Sequence, residues 1–109
     1  MVRKMRVAKL YPRLKNGKVT LVDVMDETIH DNIHIKDSIN IPYSSLEHLA
    51  FKKLDPKDVI VTYSIDYECP VSRLAAEKLR EFGFVKSFYY PGGLTEWIEA
   101  GLPVVRQNK

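Results

Sequence analysis

At 109 residues, with 45% hydrophobic and 28% charged side chains, the chain has the make-up of one globular domain with enough apolar material for a core. No run approaches the roughly 18 consecutive apolar residues of a membrane span, and the N-terminus reads as lacking a secretory signal. A single cysteine, Cys69, excludes an internal disulfide and any multi-cysteine metal site, so a reducing cytoplasm is the expected compartment.

The net charge of +3 is unevenly spread. Positions 1–18 hold seven basic residues (Arg3, Lys4, Arg6, Lys9, Arg13, Lys15, Lys18) and no acid, while the remainder carries a net −4. Val7, Leu10, Tyr11 and Leu14 interleave with these cations, so the segment packs. Its basic residues read as a solvated positive face and not as a nucleic-acid site. Arg6 to Leu10 is read as a short edge strand ended near Pro12, with a turn at Asn16-Gly17.

Val19 to Val24 is apolar nearly throughout, as a strand covered on both faces should be. Asp26 to His30 fits a helical turn, and Ser38 to Ile41 a strand stopped by Pro42. Ser44-Ser45-Leu46-Glu47 matches a capping box and predicts a helix starting at Ser44. Val59 to Ser64 is a buried strand, and Pro70 opens a long helix through Leu74, Ala75, Leu79 and Phe82, with Gly83 just past its end. Val85 to Tyr90 gives a fifth strand. Leu94 to Ala100 gives a last helix, stopped by Gly101 and Pro103. Strands alternating with helices predict an α/β fold, a mostly parallel five-stranded sheet with helices on both faces.

Cys69 stands where the Val59–Ser64 strand passes through a polar loop into the helix. A thiol there meets the positive end of a helix and unpaired backbone N–H groups, which favour a thiolate and can hold an anion. The rival reading of Cys69 is a buried, inert thiol, since free cysteine is often a small hydrophobe. Asp66 and Glu68 repel an anionic reactant, whereas Arg73, one helical turn on, attracts one. His30, His34 and His48 show no ligand spacing, and His34 reads as structural.

Four segments carry a family resemblance. Leu21-Val22-Asp23-Val24 followed by His34 through Pro42 resembles the N-terminal signature of rhodanese-like domains. Pro91-Gly92-Gly93-Leu94-Thr95-Glu96-Trp97 and Ala100 through Val104 are similar to the C-terminal signature. Val61-Thr62-Tyr63 and Ala75 through Phe84 match the strand and helix that frame the family's active-site loop. The resemblance covers residues 19–105 of a single domain spanning 1–109.

The resemblance implies sulfur transfer. A loop cysteine takes a sulfane sulfur from a thiosulfate-like donor and passes it to a thiol, cyanide or protein acceptor, without a metal or organic cofactor. In many members the nucleophile directly follows the strand, at the position of Ser64, but a subset carries a Cys-Pro-x-Ser run like the one here. The nucleophile is therefore assigned to Cys69, five residues later. Arg73, Ser72 and Val71 are the candidate substrate-binding residues, and Asp23 a candidate for orienting the loop. Met25 stands where an arginine often occurs in the family. A non-catalytic rhodanese-like binding or regulatory module is the alternative. A cysteine phosphatase or arsenate reductase ranks third, since that chemistry calls for an arginine at position 75, which is Ala75.

Overall fold

Burial on both faces sets the centre of the sheet. In the computed structural model, which describes residues 2–107, the elements in chain order are β1 (Arg3–Lys4), α1 (Val7–Lys15), β2 (Thr20–Asp23), α2 (Glu27–Asn32), β3 (Ile33–Ile35), β4 (Ile39–Asn40), a 3-10 turn (Tyr43–Ser45), α3 (Leu46–Lys53), β5 (Ile60–Tyr63), α4 (Val71–Glu81), β6 (Ser87–Tyr90), α5 (Gly93–Glu99) and β7 (Val104–Arg106). Five strands form one parallel sheet in the order β1-β6-β5-β2-β4. Alternation along the central strands divides the core. Leu21, Val61 and Tyr63 pack with Leu10 of α1 and Leu94 and Trp97 of α5. Val22 and Ile60 pack on the opposite face with Leu46 and Ala50 of α3 and Ala75 and Leu79 of α4.

The small residues Ala75 and Ala76, both fully buried, let α4 lie close on the sheet. There the Thr62 and Ser87 hydroxyls donate to the carbonyls of Ser72 (2.7 Å) and Ala76 (2.9 Å). No helix among the described residues is long and apolar enough to cross a membrane.

Three sequence expectations are corrected. The edge strand is Arg3–Lys4, and the segment read as a strand from Arg6 is the helix α1. Val7, Leu10, Tyr11 and Leu14 lie at helical spacing and turn one face inward. Pro12 is carried within this short helix, whose Ala8, four residues earlier, is exposed, so the carbonyl that a proline cannot bond can face water. The capping box does not form: Ser44 lies inside the 3-10 turn, α3 begins at Leu46, and its N-cap Ser45 makes no side-chain cap bond. The chain also has a two-stranded antiparallel sheet, β3 with β7, that the sequence did not announce.

Candidate functional site

The strand order reverses between β2 and β5, and open parallel sheets bind ligands beside the carboxyl ends of the strands at such a point. The segment 64–70, between β5 and α4, lies there. It is fastened from α5, whose Leu94 and Thr95 N–H groups donate to the carbonyls of Ser64 (3.0 Å) and Ile65 (2.9 Å). Gly93 makes this approach possible. Its φ is +64°, and a Cβ there would sit 2.6 Å from the Ser64 carbonyl oxygen. Glu96 adds a second fastening, accepting from the hydroxyls of Tyr67 (2.8 Å) and Tyr90 (2.6 Å). That bond to Glu96 holds the Tyr67 phenol above its ordinary value, and burial followed by Glu96 raises Tyr90.

Cys69 is half-buried, and its Sγ lies 3.2 Å from the Ser64 Oγ. The loop thus folds the displaced thiol back onto the residue that directly follows the strand. The anion cradle is only partly open. The Asp66 carboxylate accepts the N–H groups of Glu68 (3.1 Å) and Cys69 (3.2 Å), so two loop amides are held by the loop's own acid. The N–H groups of Val71, Ser72 and Arg73, the first three of α4, find no hydrogen-bond acceptor among the described residues.

Two openings flank the loop. A pocket of about 370 Å³ at the switch point is lined by Val24, Met25, Ile29, Tyr43, Ser64 and Val71, with Asp26 and Ser44 but no basic side chain. A groove of about 330 Å³ on the other side is lined by Lys4, Tyr67, Glu68, Cys69, Pro70, Ser72, Arg73, Tyr89 and Pro91. Of the residues singled out from sequence, Cys69, Ser72 and Arg73 share the groove, whereas Val71 lines the pocket. The Arg73 guanidinium rests 3.3 Å from Glu77 in an exposed i,i+4 pair, which holds it weakly.

Among the described residues no hydrogen bond joins the Asp23 carboxylate to the 64–70 loop, although Asp23 pairs in register with Tyr63, the residue before that loop. Its buried carboxylate accepts from the Met25 N–H (2.8 Å), the His30 ring (2.8 Å) and the Tyr63 hydroxyl (3.2 Å), and so shapes the exit of β2. The Tyr63 hydroxyl also accepts the Ile35 N–H (3.1 Å) and lies 2.9 Å from Ser38 Oγ. His34 stacks on His30 and its Nδ1 lies 2.7 Å from the His30 carbonyl. Sequence reasoning missed this Asp23–His30–Tyr63 network, the Glu96 fastening and Lys4. The first two join positions with no periodic relation, and Lys4 lies on the strand that was misplaced.

Comparison with known proteins agrees with this architecture. The profile of the rhodanese-like domain matches residues 6–100. The chain belongs to the rhodanese-like family. A rhodanese-related protein from Thermoplasma volcanium is 30% identical, with a TM-score of 0.82 over 96% of this chain and 99% of that one. A protein from Bacillus halodurans superposes with a TM-score of 0.88 at 27% identity, over 95% of this chain and 77% of the other. The adenylyltransferase and sulfurtransferase uba4 of Ogataea parapolymorpha is 34% identical over 77% of this chain but 22% of its own length. An HTH-type transcriptional regulator of Mycobacterium tuberculosis is 36% identical over 89% of the chain and 42% of its own length. The chain therefore spans less than half of the length of these two curated relatives.

Proposed function

We propose that this rhodanese-like chain is a sulfurtransferase or persulfide carrier working through Cys69. The thiol first loses its proton to solvent. The thiolate then attacks the outer sulfur of a thiosulfate-like donor: a Cys69 S–S bond forms, the donor S–S bond breaks, and its electron pair leaves with sulfite. A nucleophilic acceptor, cyanide or a thiolate, takes the outer sulfur and returns Cys69 as the thiolate. Neither step draws on a metal or an organic cofactor. The observation that carries this reading is the 3.2 Å separation of Cys69 Sγ from Ser64 Oγ. Cys69, the only cysteine, stands two residues before α4, whose first three N–H groups have no acceptor among the described residues.

One observation favours the second reading, a binding module without catalysis. Asp66 holds two amides that an anion would use, and it adds a negative charge beside the thiol. A phosphatase finds less support, because Ala75 is fully buried against the sheet and no arginine closes the loop there. The test is thiocyanate release from thiosulfate and cyanide. Cys69→Ser is expected to abolish it and Ser64→Ala to retain it. Release that is absent from the unmodified protein, or unchanged by Cys69→Ser, would favour the binding module.

A further inference from the structure

The two openings beside the loop differ in their lining, and the Cys69–Ser64 contact of 3.2 Å joins them. Cys69 lines the groove on the β6 side, and the switch-point pocket between β2 and β5 does not include it. The groove also contains Ser72, which is only 3% exposed, and whose Oγ has no hydrogen-bond partner among the described residues. No buried side-chain polar atom among the described residues lacks a partner, so this Oγ reaches solvent and can donate to an anion in the groove. Two cations border it, Arg73 from the first turn of α4 and Lys4 from β1, where Lys4 pairs in register with Tyr89. Arg6 adds positive charge near the Tyr67 hydroxyl. Glu68 is the one acid in the lining. The switch-point pocket has no basic side chain and presents Met25 and Ile29 in its wall.

We propose that Lys4, together with Arg73 and the Ser72 hydroxyl, makes the β6-side groove the anion entrance to Cys69, and that it selects a small dianion bearing the sulfane sulfur. The proposal rests on the reading of Cys69 as the sulfur-accepting residue and adds the route of approach and the residue on the first strand that sets it. Lys4 supplies long-range attraction and a terminal ammonium, Arg73 a fork that can leave the exposed Glu77, and Ser72 a neutral donor at the floor. An anion held there also meets the open N–H groups of the first turn of α4.

The test compares two alkylating agents of similar size, anionic iodoacetate and neutral iodoacetamide, on the folded protein at low salt. Iodoacetamide reports the thiol itself, and the ratio of the two rates reports the charge at its entrance. Lys4→Gln is expected to lower the ratio about fivefold while leaving the iodoacetamide rate unchanged. Lys9→Gln makes the same change in net charge on α1, outside the groove, and is expected to leave the ratio unchanged. Ser72→Ala is expected to raise the KM for thiosulfate severalfold with an unchanged iodoacetamide rate. A ratio that ignores Lys4→Gln, or responds equally to Lys9→Gln, overturns the entrance while the role of Cys69 stands. Failure of both reagents to modify folded Cys69 overturns both readings.

Discussion

The openings on either side of the 64–70 loop are of similar size, about 370 and 330 Å³, yet they are chemically opposite. The switch-point pocket lies where the topology of a parallel sheet puts a crevice, and its wall is Met25, Ile29, Tyr43 and Val71. The groove toward β6 is framed by Lys4, Arg73 and two tyrosines, with Cys69 in its lining. Fold and chemistry have thus come apart by the width of one loop. The backbone supplies the crevice, but side-chain choice at positions 64 and 69 puts a serine in its lining and the cysteine in the lining of the neighbouring opening. A fold alone therefore does not fix which crevice is used.

The change with the largest expected effect breaks the part that both openings share. Gly93→Ala must adopt a positive φ and push its Cβ against the Ser64 carbonyl, so a loss of about 2 kcal/mol or more in denaturant unfolding is expected, with loss of sulfur loading. Tyr63→Phe leaves the hydrogen bonds of the 64–70 loop in place. It removes the acceptor for the Ile35 N–H and a donor to Asp23, and is expected to cost about 1–3 kcal/mol while Cys69 still loads.

The same residue gives a pH signature. Burial, followed by the nearby Asp23, holds the Tyr63 phenol far above its ordinary 10.0, and burial with Glu96 does the same for Tyr90. Each contributes stability below pH 10 in full. The unfolded chain releases these protons first as pH rises past 10.0, so stability should fall from there upward, and by less in Tyr63→Phe. A smaller effect sharpens the groove side. Asp66→Asn keeps the acceptor for two amides but removes its charge, and is expected to speed thiosulfate loading about fivefold. Met25→Arg, which adds a cation to the switch-point pocket, is expected to change that rate by less than about twofold, since Cys69 is not in that pocket's lining.

Much of the fold was legible because its signals are local. The buried run of β2, the buried run of β5 and the Gly83 stop after α4 are each signalled within a few consecutive residues. The first helix shows the limit of that reading. Val7, Leu10, Tyr11 and Leu14 hold the helical period over about two turns, but Pro12 in their midst reads as a breaker. The capping box failed for a related reason. Ser44 and Glu47 have the right separation, but the chain enters α3 through a 3-10 turn after Pro42, so the cap is never presented.

For the site, Cys69, Ser72 and Arg73 could be grouped from sequence because all three cluster at one helix start. What could not be read was direction. The return of Cys69 onto Ser64, the capture of loop amides by Asp66 and the arrival of Lys4 depend on a loop conformation and on which strand sits at the sheet edge.

The most direct measurement is intact-mass spectrometry of the folded protein after incubation with thiosulfate, with the modified peptide located by fragmentation. The account predicts a gain of about 32 mass units, one sulfur, on Cys69, reversed by cyanide. An unchanged mass across thiosulfate and organic persulfide donors would contradict it.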